Sequence, residues 1–152
     1  MQDFSKIINR LNKILELELA GVIRYTHYSF MVFGYNRIPI VKWLRDQADE
    51  SLVHAQRAGE LITQVGGYPS LGIGPLLDKH NADIGKILEE SLEHERAGLA
   101  EYKALLDEVK DTGPIFLEEY ARELITTEEE HLGDVLKMLR KPGAEAPSCP
   151  TF

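Results

Sequence analysis

The chain repeats itself. Displaced by 77 residues, Glu18-Leu19-Ala20-Gly21-Val22-Ile23-Arg24-Tyr25 falls on Glu95-Arg96-Ala97-Gly98-Leu99-Ala100-Glu101-Tyr102, with Glu, Ala, Gly and Tyr identical. The same displacement sets Arg45 on Arg122 and His54 on His131, so 36 residues separate the Glu from the His in both copies. Shared helical periodicity explains matched apolar residues; it does not explain matched Glu, Tyr, Arg and His. At 152 residues the chain suffices for one domain with a full core and is too short for two comfortable ones, so both copies must share one interior.

Each copy reads as a pair of helices. From about Ser5 to Phe33, residues Ile7, Ile8, Leu11, Ile14, Leu15, Glu18, Val22, Tyr25, Phe30 and Phe33 fall mostly at three- and four-residue steps. Gly34 and the turn from Tyr35 to Pro39 end that helix, and a second is predicted from about Pro39 to Val65, closed by Gly66-Gly67. A third is predicted from about Asn81 to Lys110. After the break at Asp111-Thr112-Gly113-Pro114, a fourth runs from about Pro114 to Arg140, stopped by Lys141-Pro142-Gly143.

Between the pairs, Gly66 to about His80 carries Gly67, Pro69, Gly72, Gly74 and Pro75 and reads as a loop. Such a long unstructured stretch is uncommon inside a compact domain unless it has a geometric task. Extended at about 3.3 Å per residue it spans roughly 45 Å, the length of a helix of about 30 residues. It can therefore cross from one end of a bundle to the other. The expected fold is an all-α four-helix bundle over residues 1–143, two antiparallel hairpins joined by one long crossover, followed by a flexible tail over 144–152.

Glu18 lies on the apolar stripe with Leu11, Ile14, Leu15 and Val22, and Glu95 lies with Leu88, Leu92 and Leu99. A carboxylate placed there loses its water and must be paired or hold a metal. In Thr127-Glu128-Glu129-Glu130-His131, Glu128 and His131 project about 60° apart and one turn along a helix, so both can reach one ion. Taken alone that spacing also suits a solvated helix face; the repeat argues for the inward one. Two inward carboxylates and two inward histidines from facing helices make a di-metal site.

The excess of 25 acidic over 17 basic residues argues against nucleic acid or an anionic membrane as partner. No uncharged apolar stretch approaches the roughly 20 residues of a membrane span, and no secretory signal is evident at the N-terminus. One cysteine, Cys149, permits no intrachain disulfide, and the cytoplasm is the default compartment.

From about residue 5 to 140 the sequence resembles the ferritin-like superfamily, and within it bacterioferritin most closely. The residues that carry the resemblance are Glu18 with Tyr25, Glu95-Arg96 with Tyr102, and Glu128 to His131. It implies Glu18, His54, Glu95, Glu128 and His131 as ligands of a dinuclear centre, with Glu18 and His54 on one metal, Glu95 and His131 on the other, and Glu128 bridging. Iron is the expected metal, and manganese suits the same donors. The implied activity is of the ferroxidase type, Fe(II) oxidation by oxygen or peroxide, serving iron storage or detoxification in a homo-oligomer that is at least a dimer. A di-metal oxidase or peroxidase without storage, and a structural or binding bundle with a degenerate site, are the alternatives.

The chain departs from that family at Ser51, which stands where the family has a bridging Glu. Glu50, four residues before His54 and about 40° round the helix, is the candidate replacement. Leu52 stands where bacterioferritin carries its haem-ligating methionine, so no haem is expected. The tail does not favour the family's short fifth helix, so its closed shell does not follow from the sequence.

Tyr25 and Tyr102 lie seven residues after their glutamates, within about 20° of the same face. The resemblance implies that such tyrosines hydrogen-bond ligand carboxylates or donate electrons, which makes Tyr25 a candidate redox residue; a buried tyrosine with a satisfied hydroxyl is the plain alternative. His27, His80 and His94 are expected at the surface, and Arg45 and Arg122 in ion pairs at helix seams.

Overall fold

The structure is a computed structural model that describes residues 3–111, 113–145 and 152. Among them four helices and no strands are found: α1 (Ser5–Met31), α2 (Arg37–Gln64), α3 (Ile84–Val109) and α4 (Ile115–Met138). α1 packs on α2 and on α3, and α3 packs on α4. This is the all-α bundle of two hairpins that the repeat predicts.

Helix ends deviate from the sequence reading for local reasons. α1 stops at Met31, because Val32 is extended and Gly34 turns the chain at φ +94°. α2 begins at Arg37, ahead of Pro39, whose missing N–H costs nothing in a first turn that has no acceptor for it. α3 begins at Ile84, where the Asp83 carboxylate accepts from the Lys86 backbone N–H at 2.9 Å and caps the helix.

The crossover from Val65 to Asp83 is fastened along α1. Asn12 donates to the Tyr68 carbonyl at 3.1 Å and accepts from the Ser70 N–H at 2.7 Å; Arg24 donates to the Pro75 carbonyl at 2.9 Å. The Gly74 N–H donates to the Glu16 carbonyl at 2.9 Å. A Cβ at position 74 would stand 3.0 Å from that carbonyl oxygen, so the close approach requires glycine.

Apolar residues fill both ends of the bundle. One cluster includes Leu11, Ile14, Ile62, Leu105, Leu117 and Leu124, and two at the other end centre on Tyr25, Tyr28 and Leu44 and on Leu88, Leu92 and Leu132. Glu18, Ser51, His54, Glu95 and Glu128 are the buried polar layer on the same helices. Residues 146–151, with Cys149, lie outside the described residues, so the expected tail over 144–152 is not described as a whole. Among the described residues no helix is long and apolar enough to cross a membrane.

Candidate metal centre

Each helix delivers a side chain to the buried layer: Glu18 from α1, His54 from α2, Glu95 from α3 and Glu128 from α4. Ligand atoms of Glu18, His54 and Glu128 lie within 4.8 Å of one another, as do those of Glu95, Glu128 and His131. Glu128, 3% exposed, belongs to both groups, so two adjacent seats share one carboxylate. His54 turns its Nδ1 inward, 3.4 Å from Glu18 Oε1 and 3.6 Å from Glu128 Oε1.

Those residues fit a cation. Glu128 Oε2 is buried without a hydrogen-bond partner, a cost that a positive ion would remove. Carboxylate oxygens with one imidazole in each seat suit iron or manganese.

Charge crowding shows in the acidities. Burial pushes Glu18 above the ordinary carboxyl value, although His54 pulls it back. Burial and the neighbouring charge of Glu95 push Glu128 well up. Glu95 is buried too, but hydrogen bonds from Glu128 and Tyr25 outweigh that and hold it below its ordinary value. The two shifts run in opposite directions, so within the pair Glu128 is the carboxyl that releases its proton last. For His54 burial opposes the charged form, yet Glu18 and the acidic surroundings raise it. One or two metal ions would do the work of these protons.

The two tyrosines are crossed. Tyr25 on α1 donates to Glu95 Oε1 on α3 at 2.5 Å, and Tyr102 on α3 donates to Glu18 Oε1 on α1 at 2.8 Å. Each phenol serves the glutamate of the other half. Behind them, Tyr25 meets Tyr28 and Trp43 edge-on, and Tyr102 meets Tyr120, over whose ring Arg57 lies at 5.2 Å.

Position 51 and its neighbour divide. Ser51 is buried, and its Oγ sits over Gly21, only 2.9 Å from where a Cβ would stand there. Glu50 joins neither seat: its half-exposed carboxylate places Oε2 3.1 Å from His131 Nε2 and Oε1 3.7 Å from His54 Nε2. The sequence offered it as a bridge; the structure sets it behind the rings, on the side of α2 that looks toward α4.

Other positions depart from the sequence expectation. His94 is half-buried, its Nε2 3.2 Å from the Cβ that Gly21 lacks, and burial lowers its basicity. The signal for it was the glycine, a close approach on the face of α1 that α3 covers. His27 is half-buried, and its Nε2 lies 3.3 Å from Nδ1 of exposed His80, away from the centre. Arg45 donates to Ser29 Oγ at 3.2 Å, and Arg122 pairs with Glu118 of its own helix at 2.9 Å, so the matched arginines serve different ends and neither makes the seam ion pair expected of it. Leu52 is exposed on the outer face of α2.

Comparison with known proteins agrees with the geometry. The Ferritin family model, described as a ferritin-like domain, matches residues 8–142. Bacterioferritin of Brucella melitensis biotype 1 is 31% identical over 151 residues, covering 95% of this chain and 91% of that protein. Among solved structures, ferritin-like diiron-carboxylate proteins from Bacillus anthracis superpose with a TM-score of 0.83 at 23% identity, over 92% of this chain and 99% of the other. Bacterioferritin of Rhodobacter capsulatus, described with a metal-free dinuclear site and a haem iron, superposes at 0.80 with 23% identity, over 91% and 86%. At that identity the two structures speak for the fold.

Proposed function

The chain belongs to the ferritin-like family, and from that premise we propose that it binds two Fe(II) ions in the adjoining seats and oxidises them with oxygen or peroxide. The observation that carries this reading is Glu128, a buried carboxylate common to both groups and with one oxygen unsatisfied. Glu18 and His54 hold one ion, Glu95 and His131 the other, and Glu128 both. Manganese competes for the same donors.

Two Fe(II) ions release two electrons, which with two protons reduce one oxygen molecule to hydrogen peroxide, or one hydrogen peroxide to two waters. This chain's residues prepare that exchange. Burial and Glu95 make the Glu128 carboxylate costly, and positive ions beside it would supply the balancing charge. Tyr102 and Tyr25 hold Glu18 and Glu95 in place, and Tyr25, packed against Trp43, is the candidate to supply the second electron to hydrogen peroxide where only one Fe(II) is in place, its phenolic proton passing to Glu95. The apolar clusters at both ends keep bulk water from the seats.

We assign iron storage or detoxification as the purpose, from the likeness to bacterioferritin over nearly the whole chain, and a cytoplasmic setting with it. Ile23, Phe30, Phe33, Ile38, Leu52 and Val53 are exposed on α1, α2 and their turn, which favours a homo-oligomer of two or more copies. Leucine at 52 has no donor atom, so no haem is bound there.

Anaerobic Fe(II) titration followed by admission of oxygen tests the reading. Two ions per chain and growth of a ferric absorption band are expected; uptake of fewer than two, or no colour, defeats it. Size-exclusion chromatography tests the assembly, and a monomer would refute it.

A further inference from the structure

We propose that Glu50 is a positioning residue shared by both site histidines and not a bridging ligand, so that the two seats are joined on one side only, by Glu128. The proposal rests on the two-metal reading of the centre. An imidazole directs its two nitrogens to different sides of the ring. His54 has its Nδ1 among Glu18 and Glu128 and its Nε2 toward Glu50, so an ion held at Nδ1 lies on the side of the ring away from Glu50. Glu50 also meets His131 at Nε2, leaving Nδ1 of that ring as its donor to the second ion.

The two oxygens of a bridging carboxylate divide between two metals. Those of Glu50 divide between two rings, Oε1 at His54 and Oε2 at His131. Its side chain is 34% exposed against 4% for Glu128, so it stands at the margin of the buried layer, where its charge keeps some water. The repeat sharpens the contrast. Under the 77-residue displacement Glu50 falls on Thr127 and Ser51 falls on Glu128. Thr127 donates to the Glu123 carbonyl of its own helix. One half therefore carries the outer carboxylate and the other the bridge.

A carboxylate charge beside Nε2, 3.1 Å away at His131 and 3.7 Å away at His54, favours the ring proton on that nitrogen and leaves the Nδ1 lone pair for the ion. Because one carboxylate faces both rings, its loss is felt in both seats.

The test is anaerobic Co(II) titration of the full chain and of Glu50→Ala and Glu50→Gln, with long-range proton–nitrogen spectra of the imidazoles in the metal-free proteins. Glu50→Ala is expected to keep two ions per chain, both bound about 10- to 100-fold more weakly. Glu50→Gln, which keeps an oxygen beside both rings but not the charge, should recover only part of that loss. The metal-free wild type should show His54 and His131 with the proton on Nε2, and Glu50→Ala a mixture of tautomers. Binding that falls to one ion per chain in either variant, or affinity unchanged in Glu50→Ala, overturns the proposal. Should the wild type itself take fewer than two ions, the two-metal reading fails; the spectra then decide on Glu50 alone, and identical tautomers in wild type and Glu50→Ala overturn its role.

Discussion

The two hairpins descend to the same layer with the same Glu and His and then part company at one step of the helix. In α4 the residue three before the histidine is Glu128, buried and crowded by Glu95, which together push its carboxyl well above the ordinary value. In α2 it is Ser51, also buried but neutral, with its hydroxyl over Gly21. A second glutamate at 51 would add one more desolvated carboxylate to a layer that already strains to hold its own. The difference teaches that a duplicated unit need not keep duplicated chemistry: one copy can hold the costly charge and the other relieve it.

The sharpest break of that comparison is Glu128→Gln. Both seats lose their common ligand, and metal affinity should fall by more than about 100-fold at each, measured by anaerobic titration. Gln copies the neutral carboxyl without having to take up a proton, so the metal-free variant should melt above the wild type at neutral pH and close to it below about pH 4.5. Loss at one seat only would mean that the seats do not share this carboxylate.

Ser51→Glu is next and works the other way. The metal-free variant should lose about 3 kcal/mol or more in denaturant titration, the cost of an uncompensated buried charge. With metal the second ion should bind more tightly than in the wild type. No change in either quantity would place position 51 outside the metal layer.

The pH dependence separates the halves less drastically. The raised carboxyls of Glu128 and Glu18 help the fold while protonated, fully below their ordinary 4.5, and stop helping as pH climbs through their raised values. His54, raised from 6.5, likewise helps below that value and loses its contribution above its folded one. Glu95, lowered, works oppositely, but its window lies below 4.5. Thermal melts of the metal-free protein should therefore fall as pH rises above 4.5, and fall further above 6.5. The gain from added metal should grow over the same range, because fewer protons must be displaced. A flat profile would show that the layer carries no excess protons.

The smallest effect is the cleanest. Gly21 and Gly98 are repeat partners, yet a Cβ at 21 would press on Ser51 and His94, whereas one at 98 would meet nothing within 4 Å. Gly98→Ala should stabilise by about 0.5–1 kcal/mol through helix propensity. Gly21→Ala should destabilise, with overpacking of about 1–3 kcal/mol outweighing the same gain. Equal shifts in chemical denaturation would erase the packing difference between the halves.

Much of this was legible in the residues. Four periodic segments, glycine and proline punctuation and the 77-residue displacement determine the hairpins and the crossover, because the apolar stripes have only one shared interior to fill. Glu18, His54, Glu95, Glu128 and His131 were named from spacing and resemblance, and they meet in the structure because helical period alone decides which face they share. What spacing cannot decide is direction. Glu50 could lean inward as a bridge or outward behind the rings, and only side-chain rotamers and the approach of α4 choose. An angle measured from Glu95 on an isolated helix puts His94 at the surface, whereas in the bundle each helix has two neighbours and His94 is half-buried.

The crossed phenols have a consequence of their own. A single hairpin, made alone, would leave its glutamate in an oily stripe with the needed hydroxyl on a molecule that is not there. Two identical hairpins meeting about a twofold axis would repair each other at once, since in such a pairing whatever the first copy lends the second returns. The fused chain still trades its hydroxyls in that reciprocal way, Tyr25 to Glu95 and Tyr102 to Glu18. It is built as a dimer whose partners have been tied together.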